Sequence, residues 1–289
     1  MSGARPAARR KRVLPAPERR FRSGRFNDTE LVEQPRALLR VPAPWLFSLV
    51  WTKPNGCRLL DLSPDEWIAI RLSLRIAVVA TLVALPFGIA MAWLLARKSF
   101  WGKTLLDGLV HLPLVLPPVV TGYLLLITFG RRGLLGGFLA DQLGIVFSFR
   151  WTGAALACGI MGFPLLVRPI RLAIEAIDTR LEEAAATLGA NGIWVFLTVT
   201  LPLALPGLIA GVVLCFAKAL GEFGATITFV ANIPGETQTI SAAIYTFTQV
   251  PNGDAQAARL VLVAIAISLA ALVAAEWLSR RASMRFHGE

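Results

Sequence analysis

Charge is scarce in this sequence. Only 16% of its 289 residues are charged, against 55% that are hydrophobic, and the mean hydropathy is +0.63. That balance excludes an ordinary soluble domain and makes the chain an integral membrane protein. Metal ligands are few as well. The two histidines, His111 and His287, have no carboxylate or cysteine cluster around them, which points to packing or surface roles. Three cysteines, Cys57, Cys158 and Cys215, share no ligand spacing. The last two lie inside apolar runs, so they read as small core residues and not as disulfide partners. Also missing is the alternation of apolar and polar residues over ten-residue segments that a transmembrane barrel requires. No nucleophile, base or metal cluster converges on one depth, which argues against an enzyme embedded in the membrane.

What the chain does have is apolar runs of membrane length. A helix needs about 20 such residues to cross a hydrocarbon core of roughly 30 Å. Five runs qualify: Ile76 to Leu95, Leu109 to Gly130, Trp151 to Val167, Leu208 to Phe229, and Leu260 to Leu278. Trp67, Trp93, Trp101, Trp151 and Trp277 lie near their ends, where an indole keeps its ring in apolar surroundings and its N–H among headgroups. The expectation is an all-α, polytopic bundle of about five transmembrane helices. Pro113, Pro117 and Pro118 in the second run and Pro164 in the third should bend it, and Gly207, Gly211, Gly221 and Gly224 should let helices pack closely.

Residues 1–66 form a separate region, opening MSGARPAARRKRVLPAPERRFRSGR, in which Arg, Pro and Ala dominate and no period holds. It reads as a disordered tail. It is not a secretory signal, since no unbroken apolar segment follows the basic stretch. Ala37 to Trp51 is too short for a further span and carries Arg40 and two prolines. Because 13 of the 29 Lys and Arg residues precede Trp67, the basic character belongs mostly to this tail. With no recognisable nucleic-acid-binding module, an association with anionic headgroups fits better than nucleic-acid binding. Residues 67–289 form the transmembrane domain.

Arg97, Lys98 and Lys103 after the first run, and Arg280, Arg281 and Arg285 at the end, place both stretches in the cytoplasm. The same count puts Glu182 to Pro202 inside and Arg131 to Arg150 and Ala231 to Asp254 outside. It also leaves the basic tail outside, against the positive-inside tendency.

The inner stretch begins RPIRLAIEAIDTRLEEAAATLGANGIWVF. Acids and arginines alternate with Ile, Leu and Ala at helical spacing until Gly189 and the Asn191-Gly192 pair break the pattern, so two short helices with a bend are expected. Ala184, Ala185 and Ala186 leave a nearly smooth face, and Gly189 permits a turn that a Cβ would strain. Physics alone leaves two readings open, a helix lying on the membrane surface or a docking surface for another protein. Glu183-Ala184-Ala185, three residues, Gly189, nine residues, then Val199, Leu201 and Pro202 resembles the EAA signature of permease subunits of binding-protein-dependent ABC importers. Val199 stands where that family usually has Ile. In the family this loop forms cytoplasmic coupling helices that dock in a groove of the ATPase. The resemblance therefore implies a coupling role for Glu183, Ala184, Ala185, Gly189, Leu201 and Pro202.

The resemblance runs from about Glu66 to the C-terminus. HLPLVLPPVVTGYLLL, FPLLVRPIRLAIEAID, ALGEFGATITF and NIPGETQTISAAIYT are similar to the molybdate branch, and sulfate permeases share the EFGA-type stretch, so molybdate is the cargo the resemblance implies, with tungstate or sulfate as the alternatives. It implies a type I importer fold in a bacterial inner membrane, a second permease copy, two cytoplasmic ATPase subunits and a periplasmic oxyanion-binding protein. That protein would dock on outer loops such as Ala231 to Asp254. No cofactor is implied on this chain. Nor does the chain carry its own ATPase: Gly102-Lys103-Thr104 looks like part of a phosphate loop, but Arg97 stands where its first glycine is required. The competing class is a self-contained ion-driven carrier, built on internal repeats and coupling-ion carboxylates. No repeat is evident, and Glu222 is the one buried acid expected.

Lys218 and Glu222 fall inside the fourth run at i and i+4. Either they neutralise each other and fix packing, or Lys218 attracts an oxyanion in transit. Glu66 and Glu276 lie at span ends, where a carboxylate can reach water.

Overall fold

The computed structural model describes residues 62–287, with side chains described through 281 apart from 279. The basic tail, the Ala37 to Trp51 segment, Cys57 and the side chain of His287 lie outside the described residues. The first helix, α1 (Pro64–Arg97), starts well before the expected span because its N-terminus carries a complete capping box. Ser63 Oγ accepts from the Glu66 N–H at 3.3 Å, and Glu66 Oε2 accepts from the Ser63 N–H at 2.5 Å.

The second apolar run is not one helix. It forms α2 (Lys103–Val115) and α3 (Pro118–Phe129), bent by 112°. Leu116 precedes Pro117 and is extended, with ψ of 144°, as the proline ring demands, and two successive prolines supply no N–H to continue the ladder. A short apolar helix α4 (Leu134–Leu143) follows, then α5 (Trp151–Glu175), which stays continuous through Pro164 and Pro169.

Beyond α5 come α6 (Thr179–Thr187) and α7 (Gly192–Leu203), the latter widened into a π turn over Phe196–Thr200. Next is α8 (Leu205–Leu220), bent by 73° from α7. The expected fourth span does not run on to Phe229. Its helix stops at Leu220, and α9 (Gly224–Val230) starts after a break at 221–223. Two helices complete the described chain, α10 (Ile240–Thr248) and α11 (Asp254–His287). Helices α1, α5 and α11 are each long and apolar enough to cross a membrane, and the count reaches five if the bent pairs α2–α3 and α7–α8 are each one span.

Helix α5 is the hub, two-thirds buried over its most apolar window, whereas α11 is only 11% buried there. Cys158 and Cys215 are free, buried core residues. Contact between α5 and α8 is close enough that a Cβ on Gly211 would lie 2.7 Å from the Leu166 carbonyl oxygen. Val261, Leu262, Ile265, Leu269, Leu272 and Val273 stay exposed along α11, a surface suited to lipid.

Glu66 corrects one expectation. Its side chain does not reach water but is fully buried against α11, with Arg259 Nε donating to Oε1 at 3.0 Å and Nη2 to Oε2 at 3.2 Å. Because α1 starts at Pro64, the carboxylate sits inside the bundle, where only a paired charge is tolerated. Glu276 is exposed and pairs with Arg280 at 2.7 Å.

Candidate functional site

The stretch from Glu175 to Leu205 is built by local signals. Asp178 caps α6, its carboxylate accepting from the Arg180 N–H at 3.0 Å. Gly189 ends α6 with φ of +89°, while its N–H reaches the Ala186 carbonyl at 3.0 Å and the Ala190 N–H reaches Ala185 at 3.3 Å. This pair of bonds is a Schellman motif, which places glycine at the left-handed position. Two residues on, the Asn191 side chain caps α7 by accepting from the Trp194 N–H at 2.9 Å. Further along, the π turn closes with a bond from the Leu201 N–H to the Phe196 carbonyl, immediately before Pro202, which has no N–H to give.

The loop presents apolar surface at its bend. Leu188 is 89% exposed and Ile193 73%, with Leu181, Trp194 and Leu197 also exposed. Glu183, Ala184 and Gly189 share this exposure, Ala185 is half-buried, and Leu201 and Pro202 are half-buried at the hinge into α8. A patch of this kind, made on short, well-capped helices, marks an interaction surface, for a protein or for the membrane.

Glu182 was not singled out from sequence, and it holds the loop in place. Its Oε1 accepts from Arg97 Nη2 at 3.0 Å, Arg97 Nε at 3.2 Å and Thr200 Oγ1 at 2.7 Å. Arg97 Nη2 also donates to the Ile177 carbonyl at 3.2 Å. One carboxylate thus joins the end of α1, the start of α6 and the π turn. Alongside, Arg171 pairs with Asp107 at 2.9 Å and Glu175 at 2.8 Å, tying α2 to α5. His111 Nδ1 lies 3.4 Å from Asp107 Oδ1, so this histidine does have carboxylate company, although among the described residues no metal-binding group of side chains forms. Arg171 and Glu175 lie at helical spacing and were legible as a pair. Arg97 and Glu182 are 85 residues apart and had no signal beyond opposite charge.

Lys218 and Glu222 meet, with Nζ 2.8 Å from Oε2. Glu222 is 1% exposed and lies in the break after α8, where its Oε1 also accepts from the Ala225 N–H at 2.9 Å and so caps α9. Lys218 keeps part of its side chain open, at 28% exposed. The ends opposite the Glu175 to Leu205 loop carry the NIPGET stretch. There Thr237 Oγ1 accepts from the Ile233 N–H at 2.9 Å and donates to the Ala231 carbonyl at 3.1 Å, while Ser73 of α1 accepts from the Ile240 N–H at 2.6 Å.

Residues 84–284 match the family described as binding-protein-dependent transport system inner membrane component. The chain is 58% identical to the molybdenum transport system permease protein ModB of Escherichia coli K12 over 219 residues, covering 76% of this chain and 96% of that protein. It is 39% identical over 227 residues to the sulfate transport system permease protein CysT of Salmonella typhimurium, covering 78% and 81%. Among solved structures, a bacterial ABC transporter that imports alginate superposes with a TM-score of 0.65 at 20% identity, covering 84% of this chain and 91% of that one. The MetNI methionine transporter in an inward-facing conformation gives 0.56 at 15%, covering 83% and 98%. These likenesses bear out the all-α permease fold. The chain belongs to the family of inner-membrane components of binding-protein-dependent transport systems and is a multi-pass ABC permease.

Proposed function

We propose that this chain is the membrane-spanning subunit of an ATP-driven molybdate importer, working as two copies with two cytoplasmic ATPase subunits and a periplasmic oxyanion-binding protein. The observation that carries the substrate is the 58% identity to the Escherichia coli molybdenum permease over nearly its whole length, against 39% for the Salmonella sulfate permease. In this reading residues 67–289 are the transport domain and residues 1–66 an added basic tail. The exposed surface around Glu183, Ala184, Ala185 and Gly189 receives the ATPase. Leu201 and Pro202 pass its movement into α8, and the Lys218–Glu222 pair at the end of α8 stands beside the path of the oxyanion.

The physical support is mechanical. A loop pinned by Glu182 to both α1 and its own π turn moves with the bundle and not independently of it. Replacing Lys218 by Ala tests the pathway role: oxyanion uptake should fall while assembly with the ATPase is kept. Unchanged uptake would assign the pair to packing alone. Substrate is tested in vesicles holding the chain, the ATPase and the binding protein, by ATP-driven uptake of labelled molybdate with sulfate as competitor. Preferential sulfate uptake would move the chain to the sulfate branch, the second reading that its 39% relative favours.

A further inference from the structure

At the ends of α3 and α5 remote from the coupling loop lies a cavity of about 930 Å³. Arg131 and Arg132, from the turn after α3, and Arg150, just before α5, line it together. Backbone bonds fix both mounts: the Gly133 N–H donates to Gly130 at 2.8 Å, and the Gly153 N–H donates to Arg150 at 3.0 Å. Among the described residues no carboxylate pairs with any of the three arginines. The three arginines are exposed to solvent and together give this rim a positive field that an anion would meet.

Two further features mark the same wall. Ser148 is 6% exposed, and its buried hydroxyl has no hydrogen-bond partner. Phe149, next along, holds φ of +57°, a backbone conformation that is costly for a residue with a Cβ. The remaining wall is apolar, made by Leu126, Ile127 and Val146. Helix α5 spans 25 residues, so the cavity is about 37 Å from the coupling end and on the opposite face of the bundle.

We propose that this cavity binds a tetrahedral oxyanion through Arg131, Arg132 and Arg150, carried on a phospholipid headgroup or free in solution. Guanidinium forks match the oxygen pairs of such an ion, and no carboxylate competes for them. The apolar wall suits the glycerol and first methylenes of a lipid, whereas a free ion would use the arginine rim alone. The inference is independent of which cargo the transporter carries.

The test uses the full chain purified in detergent, in two arms. Native mass spectrometry with phosphatidylglycerol and phosphatidylcholine reads lipid binding, and equilibrium dialysis with labelled sulfate or molybdate reads the free ion. Preference for phosphatidylglycerol assigns the lipid source, and dialysis binding assigns the free ion. In whichever arm binding appears, R131Q/R132Q/R150Q should lower affinity by about tenfold or more, and R131K/R132K/R150K, which keeps the charge but loses the fork, should fall between it and the wild type. Should the triple Gln variant not fold, Arg150→Gln alone must still weaken binding while melting like the wild type. Absence of binding in both arms, or unchanged binding in a folded Gln variant, overturns the proposal.

Discussion

Glu182 faces inward and Glu183 outward from adjacent positions of α6, and substitutions should separate their roles. Glu182→Ala leaves the Arg97 guanidinium, 13% exposed, with only the Ile177 carbonyl, and should destabilise the purified chain by about 2 kcal/mol, read as a lower melting temperature in detergent. Glu183→Ala removes an exposed side chain and should leave melting unchanged while reducing the ATPase that copurifies with the chain. Glu66→Ala takes away the buried carboxylate that Arg259 pairs with and should lower the melting temperature in the same assay. Where residues signal locally, sequence reads them well. Gly189, Asn191 and the Lys218–Glu222 pair each sit within five residues of what they bond. Glu66 and Arg259 are 193 residues apart, and nothing in the local pattern of either betrays the other.

Among the elements, the apolar runs were legible but their interruptions were only half so. Prolines in the second run announced bending, yet a 112° break needed Pro117 and Pro118 together, whereas Pro164 inside α5 breaks nothing. The stop at Leu220 had weaker signals: Gly221 tolerates a break, and Glu222 makes it worthwhile by capping α9. The two interruptions meet in space, since a Cβ on Gly122 of α3 would lie 2.6 Å from the Ala225 carbonyl of α9. Gly122→Leu should therefore push α3 from α9, with a cost of about 1–3 kcal/mol visible as earlier thermal aggregation. A wild-type melting curve for this variant would show that the two half-helices are not held in contact.

For the molecule as a whole, the charged groups divide by end. Arg97, Glu182, Asp107, Arg171 and Glu175 brace the end that carries the exposed loop, and Glu66 with Arg259 braces the other. Between them, among the described residues, Lys218 and Glu222 form the ion pair, and apolar packing with a few hydrogen bonds such as Ile240 N–H to Ser73 joins the helices. In the proposed mechanism a neighbour must move the loop. The direct measurement is labelled molybdate uptake into sealed vesicles containing this chain and its binding protein, with the ATPase supplied or withheld. Uptake should require both ATP and the ATPase, and it should vanish when Leu188 and Trp194 of the loop are replaced by Asp. Uptake by the permease without the ATPase, or undiminished by those two replacements, would contradict the mechanism.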